Sequence, residues 1–172
     1  MWAVSLPLPE PTGPALPRGD VFLAYLDHFR AVIVTKSQGL SEDQLRTSAL
    51  PSGWTVLELV KHLTHVERRW LVWGFEGKPV EDPWGDWQDG RWHVPVEEDP
   101  ADVIRALQDQ GEVSRSVVAA HRLTDVGKPG ERWDGADPPT LERVLFHLLQ
   151  EYARHAGHAD AGRELIDGRV GE

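Results

Sequence analysis

The chain has 172 residues, 40% of them hydrophobic, which suits one domain with a full core. It contains no cysteine, which excludes disulfides, thiolate zinc sites and a cysteine nucleophile, so any tightly held metal must use His and carboxylate ligands. Against 18 basic residues stand 28 acidic ones, a net charge of −10 that repels phosphate backbones and argues against nucleic-acid binding, and no run approaches the roughly 18 apolar residues of a membrane span.

Residues 1–19 hold five prolines and are expected to form an extended arm ahead of a domain over 20–172. Trp2, Leu6 and Leu8 are the residues that would pin this arm to the body, a loose arm being the alternative. The segment has no basic leader and is broken by prolines, so it does not read as a signal peptide, and a cytoplasmic protein is expected. The first helix is predicted to start with Asp20 as N-cap and to carry Val21, Phe22, Tyr25, Leu26, Phe29, Val32 and Ile33 at helical spacing. It stops before Gly39, a C′ glycine. A short helix follows, opened by a capping box of Ser41 and Gln44 with Leu40 and Leu45 as staple.

The second bundle helix has the clearest start in the chain. Thr55 and Glu58 form a capping box, and Trp54 and Leu59 occupy the staple positions. Its apolar face is Val56, Leu59, Val60, Leu63, Val66 and Trp70. His62 lies at the edge of that face, while His65 turns with Glu58, Lys61, Arg68 and Arg69 to the solvent side. Residues 76–99 show no convincing period and contain Trp84, Trp87 and Trp92. A connection this long is expected to work as a lid or to cross the body, its tryptophans either walling a pocket or capping one end.

The third bundle helix opens with Asp99 and Pro100 and carries Val103, Ile104, Leu107, Ser114, Val117 and Val118 on its inner face. A Gly/Pro-rich loop over 123–139, with Trp133, leads to the fourth, from Thr140 to Gly168. Four long amphipathic helices without an alternating strand pattern predict an all-α four-helix bundle, with a long connection between helices two and three.

The fourth helix carries the candidate chemistry. His147, Glu151, His155 and His158 line one side of it, bordering a stripe of Leu141, Val144, Leu145, Leu148, Tyr152, Ala159 and Ile166. Glu151 and His155 are one turn apart, and His62 is the best-placed third ligand across the bundle. His158, His147 and His65 are alternatives. Three protein ligands leave a position for water or substrate. The plain reading is also open: a histidine beside an apolar stripe is commonly a hydrogen-bonded boundary residue, and a Glu–His pair at i, i+4 is common on exposed helices.

PSGWTVLELVKHLTHVERRW and LERVLFHLLQEYARHAGHADAGRELIDG resemble the two signature segments of the DinB/YfiT-like superfamily of metal-binding four-helix bundles. The patterns HLxxVERxW and ExxRHAGHADxxRExIDG resemble an actinobacterial-type subgroup of it. The resemblance covers roughly residues 20–168, and it implies His62, Glu151 and His155 as metal ligands. Histidine is commoner where Glu151 stands, but mycothiol-dependent maleylpyruvate isomerase, a relative, uses glutamate there. His158 matches a histidine found beside the metal in some members, which implies that it orients a ligand or shuttles a proton as a catalytic residue. His147 falls to a boundary position.

The implied cofactor is a divalent metal, zinc foremost, with nickel, manganese or iron as alternatives. The implied activity is that of a transferase or isomerase using a low-molecular-weight thiol such as mycothiol. Its partners would be that thiol and a small-molecule electrophile, without nucleic acid or membrane, in a protein that could pair as a homodimer. A non-catalytic metal-binding or stress-associated bundle and a metal-dependent hydrolase are the other classes the resemblance admits.

Overall fold

The computed structural model describes residues 8–171. Trp2 and Leu6 therefore lie outside the described residues. Leu8 is half exposed, and next to it Tyr25 Oη donates to the Pro9 carbonyl at 3.0 Å.

Helix α1 spans Arg18–Ser37. It starts two residues before the expected Asp20 cap, because the Pro17 carbonyl already accepts from the backbone N–H of Asp20 at 2.9 Å and of Val21 at 3.1 Å. Asp20 sits in the first turn, where its charge complements the helix dipole. The helix ends as its sequence indicates, with Gly39 at φ 75°.

Helix α2, Glu42–Arg46, has the predicted capping box between Ser41 and Gln44. Helix α3, Val56–Glu67, has the one between Thr55 and Glu58, at 2.9 and 3.1 Å. A π-helical segment, Arg68–Phe75, prolongs α3. Helix α4 spans Pro100–Ala120, capped by Asp99 on the Ala101 N–H at 2.8 Å. Helix α5 spans Leu141–Asp167, capped by Thr140 and closed by Gly168 at φ 76°.

Helices α1, α3, α4 and α5 form the predicted bundle. Helix α1 packs chiefly on α5, and α3 on both α4 and α5. Leu26, Leu57, Leu63, Leu107, Leu145 and Leu148 are fully buried at its centre. No helix among the described residues is long and apolar enough to cross a membrane.

One expectation fails at α3. All twelve of its residues are buried, including Glu58, Lys61 and His65 on the face read as solvent-facing. The 76–99 connection covers that face. Lys61 Nζ meets Glu98 at 2.5 Å, and Arg91 meets Glu58 at 3.3 Å. Within this connection, β1 (Trp87–Gln88) pairs antiparallel with β2 (Arg91–Trp92). Asp89 and Gly90, at φ 50° and 80°, make the two-residue turn that such a hairpin requires.

A polar network runs through the bundle interior. Glu67, with a fully buried side chain, accepts from Arg30 Nη2 at 2.9 Å and Nε at 3.2 Å, and from the hydroxyls of Ser114 and Tyr152. Burial of the Tyr152 hydroxyl, reinforced by the Glu67 charge, raises its pKa well above the usual value.

Candidate metal centre

The capping box fixes where α3 begins, and His62 falls on the side of α3 that faces α5. There it meets Glu151 and His155, one turn apart on α5. One side-chain donor atom from each of the three lies within 4.8 Å of the other two. His155 Nε2 is 3.3 Å and His62 Nε2 3.8 Å from the same oxygen, Glu151 Oε2. The histidine side chains are 6% and 5% exposed and that of Glu151 is 18% exposed, so solvent reaches the cluster along its glutamate edge.

The imidazoles hold Glu151 far below the ordinary carboxylate range, His155 contributing first and His62 next. Burial lowers the pKa of His155, which keeps its ring neutral near pH 7. Two imidazoles and a carboxylate, with both Nε2 atoms near one Glu151 oxygen, form a donor set that fits a divalent ion such as zinc.

The structure adds a residue that sequence reasoning missed. Asp86, 1% exposed, places Oδ2 2.9 Å from His62 Nδ1. This partner suits a proton on Nδ1, which with an ion bound would leave the Nε2 lone pair for the ion. Arg69 braces the carboxylate from the other side, at 2.5 and 3.1 Å, and also donates to the Pro83 carbonyl at 2.9 Å. Burial alone would raise the Asp86 pKa, but the hydrogen bonds from His62 and Arg69 outweigh it and the carboxylate stays ionised. Asp86 lies in the aperiodic 76–99 connection, so no local pattern marks it.

Tryptophans enclose the imidazoles. The Trp54 ring stacks on His155 at 5.3 Å and 24°, and the Trp92 ring lies 3.8 Å from that of His62. Part of the Trp-rich segment thus walls the cluster. Trp84 instead covers the Arg69 guanidinium at 4.4 Å.

The three alternative histidines fall outside the three-residue group. His158 sits against Trp54, its ring 5.9 Å from His155, with a buried Nδ1 that has no hydrogen-bond partner. His147 lies on the other side, its Nε2 3.8 Å from Glu151 Oε1 and its ring 4.2 Å from Trp70. His65 faces the opposite oxygen of Asp86 at 3.9 Å.

Residues 21–168 match a family model described as mycothiol-S-transferase. Among solved structures, YfiT from Bacillus subtilis is similar over 91% of this chain and 91% of its own, at 19% identity and a TM-score of 0.51. That structure is described as a probable metal-dependent hydrolase with an unusual four-helix bundle topology. At this identity the likeness bears on the fold, and it agrees with the DinB/YfiT-like bundle expected from the signature segments. No curated protein matches the chain significantly.

Proposed function

The chain belongs to the mycothiol-S-transferase family of DinB-like bundles, and from this we propose that it is a divalent-metal-dependent enzyme transferring a low-molecular-weight thiol, such as mycothiol, to a small electrophile. The observation that carries the reading is the convergence of His62, Glu151 and His155 in a chain without cysteine. A sulfur nucleophile has to come from a second molecule, and this cluster is where it would be activated.

His62, Glu151 and His155 would hold the ion, zinc foremost. Bound there, it would lower the pKa of a coordinated thiol and keep a reactive thiolate at neutral pH. The remaining work falls to the chain itself. Asp86 orients His62 through Nδ1, and Arg69 keeps Asp86 ionised and in place. Trp54 and Trp92 exclude water from the imidazole side, which strengthens every electrostatic interaction within. His158, its ring 5.9 Å from that of His155, would take up the proton that the thiol releases.

The test combines metal analysis with a thiol-dependent assay. Protein purified without chelators should carry close to one equivalent of divalent metal, and His62→Ala and His155→Ala should lose it together with conjugation of mycothiol to a model electrophile. Wild-type metal content no higher than that of the variants would overturn the reading. Turnover of esters or amides without any thiol would favour a hydrolase using the same ligands.

A further inference from the structure

The second Gly/Pro-rich loop brings an arginine onto Trp70, two contacts away from Glu151. Glu151 is the exposed member of the three, and its Oε1 faces His147. The His147 ring packs at a tilt on Trp70, and the Arg132 guanidinium lies over the Trp70 ring at 4.4 Å and 5.6 Å from that of Trp133. Arg132, Trp70 and His147 therefore form a continuous line of contacts that ends on Glu151, the most exposed member of the cluster.

Three observations set Arg132 apart from an ordinary surface arginine. It pairs with no carboxylate among the described residues, although the chain has 28 acidic residues to 18 basic, and its Nε is buried without a hydrogen-bond partner. Its position is also built. Trp133 Nε1 donates to the Lys128 carbonyl at 2.8 Å, and the Lys128 N–H to the Phe75 carbonyl at 2.8 Å. The Trp133 ring packs so closely on Gly74 that a Cβ there would lie 2.8 Å from it. Finally, the surroundings are uncompensated. Partial burial, then the nearby charge of Arg69, lower the Arg132 pKa. A stacked guanidinium keeps its hydrogen-bonding edge free for a planar oxyanion.

We propose that Arg132, stacked on Trp70 beside His147, is an oxyanion-binding subsite that selects an electrophile carrying a carboxylate or a comparable anionic group. This rests on the thiol-transfer reading, in which the metal would take the sulfur and the rim would take the second substrate. It adds a substrate class and a specificity-determining residue outside the ligand set.

The experiment reads binding rather than turnover, so it separates this proposal from the reading beneath it. Benzoate and its neutral analogue benzamide are titrated calorimetrically into wild-type, Arg132→Gln and Arg132→Lys proteins, each metal-loaded and metal-free. N-acetylcysteine and its amide form a second pair that reports a carboxylate on the thiol. Melting midpoint and metal stoichiometry, unchanged across the variants, certify the fold. The expected result is a benzoate preference of about tenfold in wild type, as for one charge-assisted pair. It is abolished in Arg132→Gln and partly kept in Arg132→Lys, in at least one of the two metal states. The absence of an Arg132-dependent benzoate preference in both metal states overturns the subsite. An Arg132-dependent preference confined to the thiol pair also overturns it. Failure to bind metal would sink the thiol-transfer reading, while the metal-free titrations still decide the subsite.

Discussion

His62 has both of its ring nitrogens committed, and the consequences can be measured residue by residue. Asp86→Asn keeps the shape of the side chain but removes the charge that polarises Nδ1–H and balances Arg69. Metal affinity should fall about 10–100-fold, as for other carboxylates behind a ligating histidine, while His62→Ala abolishes it. Competition against a chromophoric chelator measures both, and equal affinity in Asp86→Asn and wild type would remove Asp86 from the site. The metal-free protein should also be acid-sensitive. Burial, the largest cause in each case, lowers the pKa of His65 and His155. The unfolded chain then binds more protons, so stability is fully present above the unfolded histidine pKa of about 6.5 and is lost as pH falls below it. His155→Gln should flatten that slope by at most about 1.4 kcal/mol per pH unit in denaturant melts. At this scale the sequence was legible where chemistry follows helical spacing. Glu151 and His155 are a turn apart, and a capping box fixes the phase of His62. Asp86 was not legible, because its partners are 24 and 17 residues away across a loop without period.

Helices announced themselves through their caps, and the elements between them did not. The boxes at Ser41 and Thr55, Asp99 and Thr140 at N-termini, and Gly39 and Gly168 at C-termini can all be read locally, since each satisfies backbone groups of its own helix. The π-helical segment 68–75 leaves no such mark, yet it directs Arg69 to Asp86 and Trp70 to His147. It is also the floor on which the 123–139 loop rests. Gly74→Ala would drive a methyl into Trp133, and this overpacking should cost about 1–3 kcal/mol. Displacement of Trp133 should also leave Arg132 without its platform. Thermal melts give the first effect, and an unchanged midpoint would show that the loop yields freely.

Across the whole molecule, what the sequence concealed was the extent of burial. An amphipathic reading gives α3 a wet face, but a 24-residue connection covers it, and only long-range pairs such as Lys61–Glu98 reveal that. The same helix ends on Glu67, a carboxylate at the centre of the bundle. Arg30→Met should cost about 3–5 kcal/mol, because it leaves that charge buried without its cation. Urea titration at pH 7 tests this, and a loss below 1 kcal/mol, the range of a surface pair, would show the network to be dispensable. The tryptophans packed on the two imidazoles have an optical consequence as well. Trp54 and Trp92 touch the rings of His155 and His62, so a paramagnetic ion seated between those rings lies within quenching range of two indoles. Titration with Co²⁺ or Cu²⁺ should darken part of the intrinsic emission and saturate at one equivalent. Trp92→Phe should remove part of the quenched signal. The protein carries its own gauge of occupancy, readable in dilute solution without a label.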